Sequence, residues 1–344
     1  MMRLPYFRYR APRTVSEAAK ILAAEGPEAM LLAGGTDLLP NMKRRQQVPG
    51  TLVGLRSIDA LRSIANGSGL RIGAGLTLSQ LAADARVREQ YTGLFQAAIQ
   101  VATPHLRNMA TLGGNICLDT RCNYYDQNYE WRKAIDFCMK KDGDICWVAT
   151  GSKRCLAVSS TDTAPALMSL GARVRLVSDG GDRLVSLGDL YRNDGIDYIT
   201  RRPDEIVTEV VLDPPGGWKS TYWKLRRRGS FDFPVLAAAV AVKFAKGGVV
   251  EDARIVLGAV ASCPVDCPDA AQGLAGKKLT DAVIEEAATV ASKKAKPVDN
   301  TDFTLSWRKR VARAFVTYAL CEVRGDDMRE QRIKVARHSL DAAV

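Results

Sequence analysis

Leu31-Leu32-Ala33-Gly34-Gly35-Thr36-Asp37-Leu38-Leu39-Pro40-Asn41-Met42-Lys43 sets two glycines and a threonine between an apolar run and a helix-forming one. The pattern predicts a strand over 29–33, a tight loop, and a helix reaching about Arg45. Small residues let backbone N–H groups approach a pyrophosphate, and a following helix adds a favourable dipole. The loop is not a G-x-G-x-x-G fingerprint, and no P-loop lysine follows at the required spacing. Taken alone it reads equally well as a tight turn before a helix.

Outward from that loop, the chain alternates helices and strands. Thr14-Val15-Ser16-Glu17 has capping-box spacing and opens a helix that ends at Gly26-Pro27. Strands are expected at 51–55 and 70–75, then a helix from Ser79 and another over about 87–101. After Thr103-Pro104 comes a second polar glycine turn, Thr111-Leu112-Gly113-Gly114-Asn115. Two such loops suit a ligand with two phosphates, such as FAD. Beyond 161 the pattern predicts a helix over 162–170, strands on either side of Asp179-Gly180-Gly181, and a β-branched strand over 205–212. Asp213-Pro214-Pro215-Gly216-Gly217 is the best linker candidate. Three antiparallel strands follow, at 220–226, 235–244 and 253–261, with Lys246-Gly247-Gly248 as a turn. The remainder is helical, the longest helix spanning about 306–323.

With 344 residues the chain is too long for one ordinary core, so two or three domains are expected. Hydrophobic residues make up 47%, and no apolar run is long enough to span a bilayer, so no membrane partner is expected. The N-terminal 1–13 are basic and aromatic without a signal-peptide core, so export in its own right is not expected and a cytoplasmic location is the expectation. The net charge is +11, but apart from Arg226-Arg227-Arg228 and the last helix the basic residues are scattered. No nucleic-acid module pattern appears, so nucleic acid is not expected as a partner. His105 and His338 do not form a catalytic pair by any sequence argument, and no serine–histidine–acid or paired-carboxylate arrangement stands out.

The cysteines are uneven. Five of the eight lie between Cys117 and Cys155, and Cys263, Cys267 and Cys321 lie apart and read as structural. Residues 118–158 lack amphipathic period and carry Tyr124, Tyr125, Tyr129, Trp131, Phe137 and Trp147. In a reducing compartment clustered cysteines are metal ligands or redox groups more often than disulfides. Cys122, Cys138, Cys146 and Cys155 are spaced C-x15-C, C-x7-C and C-x8-C. Zinc knuckles and the bacterial ferredoxin run both have shorter spacings, whereas a cubane cluster accepts widely spaced thiolates that aromatic residues wall from water. Spacing alone leaves Cys117 open as a fifth candidate.

The stretches 31–43, 102–116, 159–178 and 222–242, in that order, resemble the flavin subunit family of molybdenum hydroxylases, which includes carbon monoxide dehydrogenase and the flavin domain of xanthine dehydrogenase. The resemblance covers nearly the whole chain. It implies an α+β fold: a vanillyl-alcohol-oxidase-type FAD-binding domain of two α+β parts, then a three-stranded antiparallel sheet with helices. Boundaries of 1–216 and 217–344 follow, with 118–158 as an insertion. It further implies that Ala33, Gly34, Gly35, Thr36, Asp37 and Leu38 hold the pyrophosphate and ribityl chain, and that Thr103, Thr111, Gly114 and Asn115 line the other side. Asp162 matches an acidic FAD contact, although it also fits a helix N-cap. Lys224 matches a lysine near the isoalloxazine ring, where a cation stabilises reduced flavin; the plain alternative is a solvated strand lysine.

Relatives usually run directly from the second loop to the helix at Asp162, so the insertion is distinctive. It resembles the β subunit of 4-hydroxybenzoyl-CoA reductase, in which such a loop carries a 4Fe–4S cluster. The resemblance implies Cys122, Cys138, Cys146 and Cys155 as ligands, with Cys117 part of the flavin loop. It implies partners as well: a molybdenum-cofactor large subunit, a small subunit with two 2Fe–2S clusters, reduced ferredoxin as donor, and assembly as a dimer of heterotrimers. Electrons would run inward, the reverse of most relatives, because removing an aromatic hydroxyl interrupts ring delocalisation and needs a low-potential donor. Arg132, Lys133, Lys140, Lys141, Lys153 and Arg154 could steer an acidic ferredoxin, or simply face solvent. Two other readings remain: a hydroxylase of the same family that sends electrons outward, and a zinc-stabilised binding protein without redox function.

Overall fold

The computed structural model describes residues 3–337; His338 lies outside the described residues. Three sheets organise the chain. Strands β1 (Arg8–Arg10), β2 (Ala29–Leu32) and β3 (Thr51–Gly54) form a parallel sheet in the order β1-β3-β2. Helix α1 (Val15–Glu25) covers it through Ala18, Ala19 and Leu22. Thr14 caps α1 by accepting from Glu17 N, and Glu17 reaches back to Arg13 N at 2.9 Å, one residue short of the reciprocal bond its spacing suggests. Helix α2 (Leu38–Lys43) follows the first glycine loop.

The second sheet is antiparallel, in the order β4-β5-β8-β6-β7, with β4 at Ile64–Asn66, β5 at Leu70–Gly73, β6 at Arg173–Ser178, β7 at Gly181–Ser186 and β8 at Ile206–Leu212. The helix expected over 87–101 is divided. Helices α3 (Leu78–Ala83), α4 (Ala85–Gln90) and α5 (Thr92–Gln100) run in succession, with Tyr91 leaving helical geometry at ψ 56 between the last two. Helix α6 (Pro104–Arg107) leads to the second glycine segment. That segment is a short helix, α7 (Leu112–Ile116), not an open turn; Thr111 caps it by accepting from Gly114 N. The inserted 118–158 contain one helical turn, α8 (Tyr129–Ala134), before α9 (Thr163–Ser169).

The last sheet has four strands where the sequence indicates three. Its order is β12-β11-β10-β9, from β9 (Trp218–Leu225), β10 (Leu236–Phe244), β11 (Val250–Gly258) and a two-residue edge, β12 (Val265–Asp266). Helices α10 (Pro268–Gln272), α11 (Asp281–Ser292) and α12 (Leu305–Arg324) pack on one face, and α13 (Arg329–Ala336) closes the described chain. Alternation along β10 shows that both faces are buried: Leu236, Ala238, Val240 and Val242 join the helical core, while Ala237 and Ala239 join Ala97 of α5 and Ala166 of α9. Small side chains on that second face let the two helices approach the sheet. Helix α5 serves two cores, since Leu94 and Ala98 lie with the second sheet. It is stitched to β9 by Gly93 N donating to Ser220 Oγ (3.0 Å) and Tyr222 N to Gln96 Oε1 (2.8 Å). The linker itself is held where Tyr91 Oη donates to Asp213 O at 2.8 Å. Among the described residues, no helix is long and apolar enough to cross a membrane.

Candidate functional site

The two glycine loops lie side by side. A Cβ on Gly34 would stand 1.9 Å from the Met109 carbonyl oxygen, so only glycine fits this approach of the first loop to the segment before Thr111. A Cβ on Gly114 would lie 3.9 Å from Ala33 Cβ, which places α7 against the start of the same loop. Gly114 is exposed there, whereas Thr111 and Asn115 are buried. Residues 33–38 are all half-buried where the two loops meet. Backbone donors at two adjoining helix starts can hold a dianionic bridge such as a pyrophosphate. The residues present therefore fit FAD.

Asn115 ties the second loop to α9: its Oδ1 accepts from Thr163 N (3.0 Å), Thr163 Oγ1 (2.7 Å) and Thr161 Oγ1 (2.9 Å). This leaves Asp162 without a capping role, and its side chain makes no cap bond to α9. Its carboxylate instead turns inward and accepts from Tyr222 Oη at 2.7 Å and from Lys224 Nζ at 3.0 Å. Lys224 also donates to Gln100 O at 3.0 Å. The lysine side chain is 0% exposed, so it is not a solvated strand residue. Burial pushes the Asp162 carboxyl up and the Lys224 ammonium down, and each charge partly restores the other. Thr103 stands apart from this network as the N-cap of α6, accepting from Leu106 N. The residue before it, Ala102, receives Phe231 N at 3.1 Å from the exposed loop after β9. His105, on α6, is exposed.

Within the insertion, Cys122, Cys138, Cys146 and Cys155 are each 5–7% exposed and line one cavity together with Tyr125 and Trp147. The approach to Cys138 is strained, since Asp136 and Phe137 are consecutive left-handed residues with φ 60 and 57. The indole of Trp147 bonds the Phe137 carbonyl oxygen across this bend. Burial pushes the Cys122 thiol up to about 12 and the Cys155 thiol to about 11, with neighbouring cysteines adding to both shifts. Buried thiols that repel one another's charge ionise only against a strong cationic centre. Among the described residues, no group of three or more histidine, cysteine, aspartate or glutamate side chains is placed to hold a metal ion. The four cysteines share the lining of that one cavity. Cys117 lies elsewhere, half-buried at the end of α7 against the core of the second sheet.

Two of the six basic residues considered for donor docking are not surface groups. Arg132 is 1% exposed and donates to the Arg44 and Arg45 carbonyl oxygens at 3.1 and 3.3 Å, at the end of α2. The Lys140 side chain is 6% exposed and is bonded inside the insertion. Lys133, Lys153 and Arg154 are exposed and Lys141 is partly so. Three further residues escaped the sequence reading. Arg121, beside the ligand candidate Cys122, pairs with Asp37 of the first glycine loop and with Asp126, and bonds Asn41 Oδ1 at 3.1 Å. Asp119 accepts from Lys140 at 2.8 Å. Gly195, outside the insertion, would carry a Cβ only 2.6 Å from the Cys155 sulfur, and its N–H bonds the Cys155 carbonyl at 2.9 Å. No spacing signal links Gly195 to the cysteines; only the proline-free run 188–200 folding back on 155 reveals it.

Comparison with known proteins places this geometry in context. Residues 5–214 match the FAD binding domain in molybdopterin dehydrogenase, and residues 220–323 match the CO dehydrogenase flavoprotein C-terminal domain. The FAD-binding subunit of aldehyde oxidoreductase from Escherichia coli (strain K12) is 33% identical over 75% of this chain and 82% of its own length. The medium chain of carbon monoxide dehydrogenase from Afipia carboxidovorans is 28% identical over 89% of this chain and 92% of that one. Among solved structures, the Cu,Mo-CO dehydrogenase superposes with a TM-score of 0.78 at 26% identity, covering 94% of this chain and 99% of that chain. Quinoline 2-oxidoreductase from Pseudomonas putida 86 gives 0.73 at 25% identity, covering 94% and 98%.

Proposed function

Since this chain belongs to the molybdopterin dehydrogenase FAD-binding family, as a medium-chain flavin subunit of the molybdenum hydroxylases, we propose that it is the flavin and iron–sulfur subunit of a 4-hydroxybenzoyl-CoA reductase. The observation that carries this reading is the meeting of Cys122, Cys138, Cys146 and Cys155 on one buried cavity. In the proposed complex reduced ferredoxin is the donor. A small subunit with two 2Fe–2S clusters and a molybdenum-cofactor large subunit receive the electrons, in a cytoplasmic dimer of heterotrimers. The substrate ring takes up an electron pair and protons, and its hydroxyl leaves as water. We divide the chain into an FAD-binding part, 1–216, interrupted by the cluster loop 118–158, and a C-terminal part, 217–344.

FAD, when bound, exchanges electrons singly or in pairs, and a 4Fe–4S cluster passes them singly. The work of this chain is to hold and insulate those groups. Ala33, Gly34, Gly35, Thr36, Asp37 and Leu38 would hold the pyrophosphate and ribityl chain. Thr103, Thr111, Gly114 and Asn115 would line the other side, Asn115 also fixing the start of α9. Asp162 orients Lys224, whose buried ammonium offers a positive charge to the flavin. Cys122, Cys138, Cys146 and Cys155 ligate the cluster, and the aromatic residues of the insertion exclude water from it.

A second reading has a specific observation behind it: the aldehyde oxidoreductase subunit is 33% identical, so the complex could instead oxidise an aldehyde and send electrons outward. Purification of the native complex under anaerobic conditions separates the two. The proposal expects benzoyl-CoA from 4-hydroxybenzoyl-CoA and a low-potential donor, with about four irons per chain beyond those of the small subunit. Aldehyde oxidation without dehydroxylation would establish the second reading, and colourless protein with bound zinc would reject both.

A further inference from the structure

Lys140 lies two residues beyond Cys138 in a tight reversal in which Lys141 N bonds the Cys138 carbonyl at 2.9 Å. An ammonium has three N–H donors, and this one uses them on Asp119 Oδ1 (2.8 Å), Thr120 Oγ1 (2.7 Å) and Gly195 O (2.6 Å). It sits 4.8 Å from the Tyr125 ring centre and 5.6 Å from that of Tyr198. Asp119 is itself held by Tyr125 Oη at 3.1 Å and Gln47 Nε2 at 3.3 Å. Burial pushes both tyrosine hydroxyls up, so they stay neutral and add no charge. Such an ion pair is built into the interior. It is neither free to swing nor screened by salt.

Lys140 is among the residues that line the four-cysteine cavity, and Asp119 is not. We propose, resting on the iron–sulfur reading above, that Lys140 is a fixed internal cation that raises the reduction potential of the group bound by Cys122, Cys138, Cys146 and Cys155. Four thiolates make that group strongly anionic. Its reduction adds one electron from a low-potential donor, with no bond made or broken and no proton moved. The added negative charge is stabilised by a cation held nearby in a medium of low polarisability. Asp119 works in the opposite direction and keeps the rise moderate. Lys140 is a positioning and tuning residue, not a ligand.

The experiment is an electron-paramagnetic-resonance redox titration of the intact complex, following the signal that a Cys138→Ser complex lacks, with iron measured on every sample. Lys140→Gln should lower the midpoint by at least about 59 mV, a tenfold change in a one-electron equilibrium. Asp119→Asn should raise it, and Lys140→Arg should leave it near the wild-type value. A purely structural role would not move the two neutralising variants in opposite directions. An unchanged midpoint in iron-replete Lys140→Gln overturns the proposal. If Lys140→Gln does not retain iron, Asp119→Asn decides: a rise supports the proposal and no change overturns it. Wild-type complex without the inserted cluster's iron would instead refute the iron–sulfur reading itself.

Discussion

At the scale of single residues, glycines in the flavin groove separate folding from binding. Gly34 meets backbone, so Gly34→Ala should destabilise the chain by about 3 kcal/mol and release flavin as well. Gly114 is exposed, and its nearest obstacle is Thr111 Oγ1 at 3.0 Å, so Gly114→Leu should keep a near-normal melting temperature yet lose FAD. Flavin-to-protein ratio and thermal unfolding of both variants test this; full flavin in Gly114→Leu would show that the groove is not the site. For the cysteines, Cys138→Ser or Cys146→Ser should lose about four irons per chain while much of the flavin stays, and Cys117→Ser should leave iron unchanged. Iron loss confined to Cys117→Ser would reverse the ligand assignment. Local spacing sufficed to single out the inserted cysteines and set them apart from Cys263, Cys267 and Cys321. It could not reveal what Lys140 and Arg132 touch, because their partners, Gly195 and Arg44, lie far along the chain. A run of lysines and arginines reads as surface until the tertiary fold supplies acceptors for some of them.

At the scale of elements, α2 is the junction between the groove and the insertion. Asp37, just before its first turn, pairs with Arg121, and the carbonyls past its end accept from Arg132. Arg132→Met would remove both charge-assisted hydrogen bonds at a cost of about 2 kcal/mol. The expected outcome is faster amide exchange in 118–158 and at the end of α2, with protection in β9–β11 unchanged. Uniform protection would show that Arg132 does not anchor the insertion. The sequence located most elements because their signals are local: Thr14 before α1, the alternation of β6, the apolar period of α12. The departures also have local causes. Tyr91 interrupts what looked like one helix, and the glycines of 111–115, poor helix formers, are held helical by the Thr111 cap and the Asn115 contacts. The two-residue β12 is too short to leave any pattern; it is held by pairing with β11 and by Val265 packing on the helical core.

At the scale of the whole molecule, the charge of +11 is spread widely, but the insertion still presents Lys133, Lys153 and Arg154 to solvent. Lys133→Glu with Lys153→Glu should slow reduction by an acidic donor protein several-fold at low ionic strength and have little effect at high salt. Equal rates at low salt would move the docking surface elsewhere. The late antiparallel strands were legible from period and turn residues and the α+β architecture from the family resemblance, whereas the burial of that sheet on both faces was not, since alanines at 237 and 239 do not announce what packs on them. That packing has a consequence for the chain as a cooperative unit. Asp213–Gly217 invites cutting the protein into two separately produced halves, but α5 gives one face to each side of the cut, and Gly93, Gln96 and Tyr91 fasten the seam. Neither half would keep a closed interior alone, so calorimetry should record one endotherm for the full chain, and the halves should stay insoluble apart and regain structure only when mixed.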